Sequence, residues 1–363
     1  MTAGPLVMTG TTGFLGWHVR VLARALGLGD PVPVTRSGLA DTEKLAGLLS
    51  GADRVLHVAG VNRGEADIGN RRPAELLAAA LRRCATPPKK VVFANSVQAG
   101  NGTEYGTGKA VAAATLAEAT RWSGSDFQDV RLPNLFGEHG RPHYNSVVAT
   151  FCRQLADGGT PQVHQDRELD LLHATDAAAL LLGVDLPGAG RVRCGVGELR
   201  DRLQRIARCY ARGEIPELTG RFDVRLFNTY RSHHFPAGTP CRLPRHSDVR
   251  GDLIEAVKVH GGGGQTFVST SRPGVTRGRH FHLAKVERFL VLRGEAEIRV
   301  RRLLHDEVTT FRVAGDRPAF VDMPSMWAHD ITNVGDGELL TLFWSNEVFD
   351  PGLPDTYPEQ VSP

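Results

Sequence analysis

From Pro5 to about Leu186, short apolar runs alternate with stretches of helical period. The runs Leu6–Met8, Val32–Thr35, Val55–Val58, Val91–Ala94 and Phe127–Arg131 predict strands. Between them, Leu15–Leu26, Thr42–Leu49, Pro73–Ala85 and Gly108–Trp122 predict helices. Such alternation implies an α/β domain, a doubly wound parallel sheet with helices on both faces. Glu198–Ala211 predicts a further helix, Arg-rich and surface-lying.

The pattern changes near Pro236. Phe235–His246 holds Pro236, Pro240 and Pro244 among few apolar residues and reads as a linker or arm. Beyond it come the β-type runs Gly264–Ser269, Arg288–Leu292, Ala296–Val300, Val308–Val313, Ala319–Val321 and Leu339–Trp344. No long helical period interrupts them, which predicts an all-β barrel or sandwich. The expected division is 1–235, a linker 236–247, and 248–363.

Composition narrows the function classes. A length of 363 residues fits two domains. Lys and Arg number 43 against 40 Asp and Glu, a net +3, which argues against a nucleic-acid surface. The 41 Gly and 21 Pro exceed ordinary usage and imply many turns or close backbone approach to ligands. Cys84, Cys152, Cys194, Cys209 and Cys241 are scattered without a CxxC pair and read as free thiols. No apolar run approaches the ~20 residues of a membrane span, and Met1–Met8 lacks signal-peptide character. A cytoplasmic protein with no membrane partner is the expectation.

Thr9-Gly10-Thr11-Thr12-Gly13-Phe14-Leu15-Gly16 follows the first strand and opens a helix. Glycines there allow a tight turn and leave backbone N–H groups open to a pyrophosphate, although a turn without ligand has the same composition. At the end of the second strand, where NAD enzymes place a carboxylate, stands Arg36. A guanidinium suits a ribose phosphate and favours NADPH, unless it is a plain surface residue. His57, Ala59 and Gly60 end the third strand where such a cofactor crosses the sheet. Ser96 follows a strand, and Tyr105 and Lys109 share a helix face at i, i+4. Lys109 can then lower the Tyr105 pKa, while Ser96 holds a carbonyl and Tyr105 gives it a proton.

This set resembles the extended short-chain dehydrogenase/reductase (SDR) family over roughly residues 4–185, including Arg131–Gly137 and His173-Ala174-Thr175-Asp176. The resemblance implies a Rossmann-type fold. It also puts Asn134, Tyr144 and Asn145 where such enzymes shape a sugar-nucleotide pocket, with structural roles as the alternative.

In the second half, His280 and His282 alternate along a strand, so both imidazoles share a face that Glu287 can reach. His329 follows about forty residues later. Three imidazoles and a carboxylate suit zinc or another divalent transition metal. The pattern resembles the two motifs of the cupin family, with Met326 and Pro318 where glycines are usual. Many cupins bind no metal and use a histidine as base. Asp248–Glu255 resembles the opening strand of dTDP-sugar 3,5-epimerase-like cupins, where an Arg meets a nucleotide phosphate. Arg250 takes that place, or pairs with an acidic neighbour.

A reductase followed by a cupin resembles the bifunctional capsular-polysaccharide enzymes that form UDP-2-acetamido-2,6-dideoxy-L-talose. The telling stretches are His57–Arg63, Pro133–Phe151, Asn346–Pro351 and Pro354–Tyr357. The resemblance implies a homodimer acting on a UDP- or dTDP-linked 4-keto sugar. The cupin would epimerise carbon 3, with Lys285 as an acid–base group, before NADPH-dependent reduction of the 4-ketone. The alternatives are a 4-ketoreductase with a non-catalytic cupin, and a dinucleotide-binding regulatory sensor.

Overall fold

The structure is a computed structural model that describes residues 4–362. It falls into two compact units, one running to Phe136 with Leu169–Arg193 added, the other holding Gly137–Glu168 and everything from Cys194 onward.

The first unit begins β1 (Leu6–Thr9), α1 (Phe14–Ala25), β2 (Val32–Val34), α2 (Arg36–Ala40), α3 (Thr42–Leu49), β3 (Arg54–His57), α4 (Ala66–Leu81), β4 (Lys90–Ser96), α5 (Glu104–Ser123) and β5 (Asp126–Leu132). Its five strands are all parallel, in the order β2-β1-β3-β4-β5. Strands covered on both faces need continuous apolar runs, and Val7, Val55, Val91 and Phe93 are accordingly buried with Leu45, Leu77 and Leu116 of the helices.

Two helices start earlier than their sequence suggests. Pro73 lies inside α4 rather than at its start. Thr103 caps α5 by accepting from Gly106 N at 3.0 Å, which puts Tyr105 in the first turn.

The chain continues through β6 (Asn134–Phe136), α6 (Val147–Ala156), β7 (Glu168–His173), α7 (Ala174–Leu182), β8 (Arg191–Gly195), α8 (Val196–Tyr210) and α9 (Arg221–His234). Strands β6, β7 and β8 form a small separate sheet. The side chain of His173 caps α7 by accepting from Thr175 N, which accounts for the His173–Asp176 motif as a helix start.

The segment expected to be a linker forms β9 (Cys241–Arg242), and β10 (His246–Asp248) and β11 (Gly251–Leu253) make a hairpin. Then follow β12 (Gln265–Ser271), β13 (Thr276–Phe281), β14 (Glu287–Arg293), β15 (Glu295–Arg302), β16 (Val308–Ala314), β17 (Ala319–Met323), β18 (Trp327–Asn333), β19 (Leu339–Ser345) and β20 (Tyr357–Pro358). They build two antiparallel sheets, β12-β19-β14-β17-β9 and β16-β15-β18-β13-β20. Among the described residues no hydrogen-bonded ladder closes them into one continuous barrel. Phe289, Val321 and Phe343 of one sheet join Ile298, Phe311 and Ile331 of the other in a shared core.

Candidate functional site

The first candidate centre lies at the carboxyl ends of β1, β3 and β4. Gly10 turns the chain at φ 75°, and a Cβ on Gly16 would stand 2.0 Å from Gly10 O, so only glycine lets α1 start this close to β1. Gly13 caps α1 without a side-chain acceptor, and the first turn carries no acidic residue. The first-turn amides, among them those of Phe14, Leu15 and Gly16, lack intrahelical acceptors and sit at the positive end of the helix dipole. That is the cradle a pyrophosphate needs. Arg36 opens α2 on the exposed surface, after Thr35, whose Oγ1 accepts from Gly38 N.

His57 is fully buried. Its Nδ1 lies 2.9 Å from Thr9 Oγ1, and its ring stacks on Phe93. Burial, helped by the Lys109 charge, lowers its pKa to about 3, so the imidazole is neutral and ties strand ends together.

Ser96 ends β4 and is hydrogen-bonded to the Tyr105 phenol. Ser96 Oγ also accepts from Gln98 N at 3.1 Å, which leaves its proton for Tyr105. One turn along α5, Lys109 is buried, donates to Ala94 O at 2.9 Å and lies 4.8 Å from the Phe93 ring centre. Burial brings its pKa down to about 8, opposed by Asp129. The expectation that Lys109 lowers the Tyr105 pKa does not hold. Burial pushes the phenol up, the Ser96 hydrogen bond pulls it down, and the ammonium is committed to a carbonyl.

Asn134 opens β6 and donates to Asp170 O at 3.3 Å. Tyr144 and Asn145 belong to the second unit, in the segment before α6, with the Arg141 guanidinium 4.8 Å from the Tyr144 ring centre.

The second candidate centre lies within the antiparallel sheets. Ligand atoms of His280, His282, Glu287 and His329 all lie within 4.8 Å of one another. A bulge between Gly278 and His280, with Arg279 at φ 62°, interrupts the β13–β18 register. Met326 takes the left-handed turn at φ 61°, so the turn survives without its usual glycine. Nε2 of His282 and of His329 stand 3.0 and 3.5 Å from Glu287 Oε2. Both nitrogens are buried. Burial opposes the Glu287 charge, yet His282 and His329 hold it well below the carboxylate range. Burial and the neighbouring imidazoles lower His280 to about 3. Imidazoles converging on an ionised carboxylate are a donor set that fits a divalent cation.

Lys285 is buried, donating to Pro354 O at 2.5 Å and lying 3.4 Å from Thr356 Oγ1. Arg250 is paired with Asp248 at 2.6 Å inside the β10–β11 hairpin, the acidic-neighbour alternative. An exposed cavity of about 660 Å³ lined by Arg202, Arg205, Arg208, Arg212 and His260 shares no residue with either centre.

Comparison with known proteins decides the family. The NAD dependent epimerase/dehydratase family matches residues 6–184, and the polysaccharide biosynthesis C-terminal domain matches 246–357. The UDP-2-acetamido-2,6-beta-L-arabino-hexul-4-ose reductase of Pseudomonas aeruginosa is 32% identical over 368 residues, covering 97% of each chain. The chain belongs to this reductase's family. The crystal structure of capsular polysaccharide assembling protein CapF from Staphylococcus aureus is 31% identical with a TM-score of 0.60, covering 98% of this chain and 100% of that one. A CapF structure with the inhibitor 3-isopropenyl-tropolone is 29% identical with a TM-score of 0.55 over the same shares. The protein is thus an SDR-type oxidoreductase using a nicotinamide cofactor, and the sensor alternative drops out. No helix among the described residues is long and apolar enough to cross a membrane.

In this reductase-family chain, two supporting residues escape a reading of motifs. Thr9 Oγ1 accepts from Val58 N and Ala59 N, both at 3.1 Å, and so fixes the chain just past the end of β3. Asn70 donates to Val61 O at 2.8 Å and Ala66 O at 2.6 Å beside Gly60. The only signal for Thr9 is its place at a strand end before the glycine turn.

Proposed function

We propose that the chain reduces the 4-ketone of a UDP-linked 2-acetamido-2,6-dideoxy sugar with NADPH. We also infer that its antiparallel sheets are a cupin that first epimerises carbon 3 of that sugar. The reading of reduction rests on the Ser96–Tyr105 hydrogen bond, with Lys109 one turn further along the same helix. The relative's substrate supplies the sugar class.

When bound, the cofactor supplies the hydride. The Tyr105 phenol, kept protonated by burial, gives its proton to the carbonyl oxygen as charge develops there. Ser96 holds the same oxygen. Carbon gains hydride and oxygen gains a proton, so the ketone becomes an alcohol. Lys109 holds a fixed charge behind Tyr105 and offers contacts to the nicotinamide ribose. Gly10, Gly13 and Gly16 receive the pyrophosphate, and Arg36 selects the extra phosphate of NADPH.

In the epimerase centre, His280, His282, Glu287 and His329 would hold a divalent cation, zinc by donor type. Such a cation would stabilise an enolate oxygen as the carbon 3 proton leaves and returns on the other face. Lys285 is the nearest acid–base candidate in sequence. Its engagement with Pro354 and Thr356 favours a second reading, in which the cupin captures substrate without chemistry. Incubation with the 4-keto sugar nucleotide in heavy water, without NADPH, separates the two. Deuterium at carbon 3 supports epimerisation, and its absence leaves the reductase alone.

We further infer a homodimer joined through the β12 edge, where Phe267 and Val268 are 40% and 57% exposed. Gel filtration with light scattering tests it, and Phe267→Lys should shift the species to a monomer.

A further inference from the structure

The tail Asn346–Tyr357 carries no recognisable motif chemistry, yet it satisfies the backbone of the loop that follows His282. Four successive amides there find acceptors in the tail. Leu283 N donates to Asp355 Oδ1 at 2.9 Å, and Ala284 N and Lys285 N donate to Asp355 Oδ2 at 2.9 and 2.7 Å. Val286 N donates to Asn346 Oδ1 at 2.7 Å. Asp355 O lies 2.5 Å from His282 Nδ1.

The last contact has a chemical consequence. A carbonyl oxygen only accepts, so Nδ1 must carry a proton, and Nε2 is the nitrogen left to face a cation. Nε2 is directed at the Glu287 and His329 cluster. Asp355 sits at φ 40°, a left-handed conformation that costs most residues energy and that Asp tolerates. Three charge-assisted hydrogen bonds from consecutive amides over-determine that conformation. The same tail holds the Lys285 ammonium through Pro354 O and Thr356 Oγ1.

We propose that Asp355 is a positioning residue. It sets the tautomer and orientation of His282 for cation binding and anchors the loop that carries Lys285. The proposal rests on the reading of His280, His282, Glu287 and His329 as a metal centre.

The test uses metal-stripped full-length protein titrated with cobalt(II) against a chromophoric chelator. Asp355→Asn and Asn346→Ala are compared with the parent, and His282→Ala sets the scale. The parent should bind one equivalent. Asp355→Asn should bind about 10–100-fold more weakly, with an altered visible cobalt spectrum, as expected when the carboxylate that anchors a ligand histidine's hydrogen-bond partner is weakened. Asn346→Ala loosens the tail without touching His282 and should keep the parent spectrum.

Parent-like affinity and spectrum in Asp355→Asn would overturn the proposal. So would an equal loss in Asn346→Ala, which would make the effect one of tail docking alone. A parent that binds no cobalt refutes the metal-centre reading itself. Asp355→Asn keeps the size and one acceptor of the aspartate and tolerates the left-handed turn, so it remains testable where Asp355→Ala fails to fold.

Discussion

Lys109 fills the space that a side chain on residue 60 would need: a Cβ there would stand 3.3 Å from Lys109 Nζ and 2.6 Å from Asn70 Oδ1. Asn70 cannot yield easily, because its amide donates to two carbonyls. Gly60→Ala is therefore expected to destabilise the first unit by about 1–3 kcal/mol, the usual penalty for overpacking. It should also displace the ammonium and reduce turnover. Thermal unfolding and steady-state rates with NADPH check both effects.

Tyr105→Phe removes the proton donor and leaves the fold and cofactor cradle intact. Turnover should fall by about 10²–10⁴-fold, the range for loss of a general acid, while NADPH affinity stays near the parent value. Fluorescence titration with NADPH and single-turnover rates separate binding from chemistry.

Lys109 makes the stability depend on alkaline pH in a definite direction. Its folded pKa of about 8 lies below the ordinary 10.5, so the folded state resists holding the proton that the unfolded chain keeps. The cost is complete below pH 8 and disappears as pH rises toward 10.5. Relative to Lys109→Met, the parent should gain on the order of 3 kcal/mol across that window. Urea unfolding at a series of pH values measures the difference, and a flat difference would contradict the burial of a charged lysine.

His57 acts on the acid side. With a folded pKa of about 3 against an ordinary 6.5, it stays neutral in the fold while the unfolded chain takes up a proton. Its stabilisation is present above pH 6.5 and is lost as pH falls, by roughly 1.4 kcal/mol per unit. His57→Gln should flatten this slope in acid-unfolding experiments.

Arg36→Ala should lower kcat/KM for NADPH by roughly tenfold to a hundredfold, the worth of a charge-assisted hydrogen bond, and leave NADH use nearly unchanged. Equal effects on both cofactors would remove Arg36 from the phosphate site.

Where spacing alone carries the information, the sequence was legible. Tyr105 and Lys109 at i, i+4 in one helix and the Gly10–Gly16 turn lie where their pattern implies, and Ser96 is the last residue of its strand where the pattern had it follow one. The same is true of the His280, His282, Glu287 and His329 cluster. Long-range partners were not legible. Thr9 meets Val58 and Ala59 across 49 and 50 residues, and Asp355 meets Leu283 across 72, so no local pattern announces either. Electrostatic sign was missed for a related reason. Spacing brought Lys109 to Tyr105's helix face but could not show that burial and Ser96, and not the ammonium, set the phenol's pKa. Pro73 inside α4 shows tertiary packing overriding a residue that usually marks a helix start.

The proposed reaction is hydride transfer to carbon 4 of a nucleotide-linked 4-keto sugar, with the proton supplied by Tyr105. Its most direct test is turnover of that substrate with NADPH deuterated at the transferable position, followed by mass spectrometry and NMR of the product. One deuterium is expected at sugar carbon 4, formed by the parent and lost by orders of magnitude in Tyr105→Phe. NADPH oxidation that leaves carbon 4 unlabelled, or transfer undiminished in Tyr105→Phe, would contradict it.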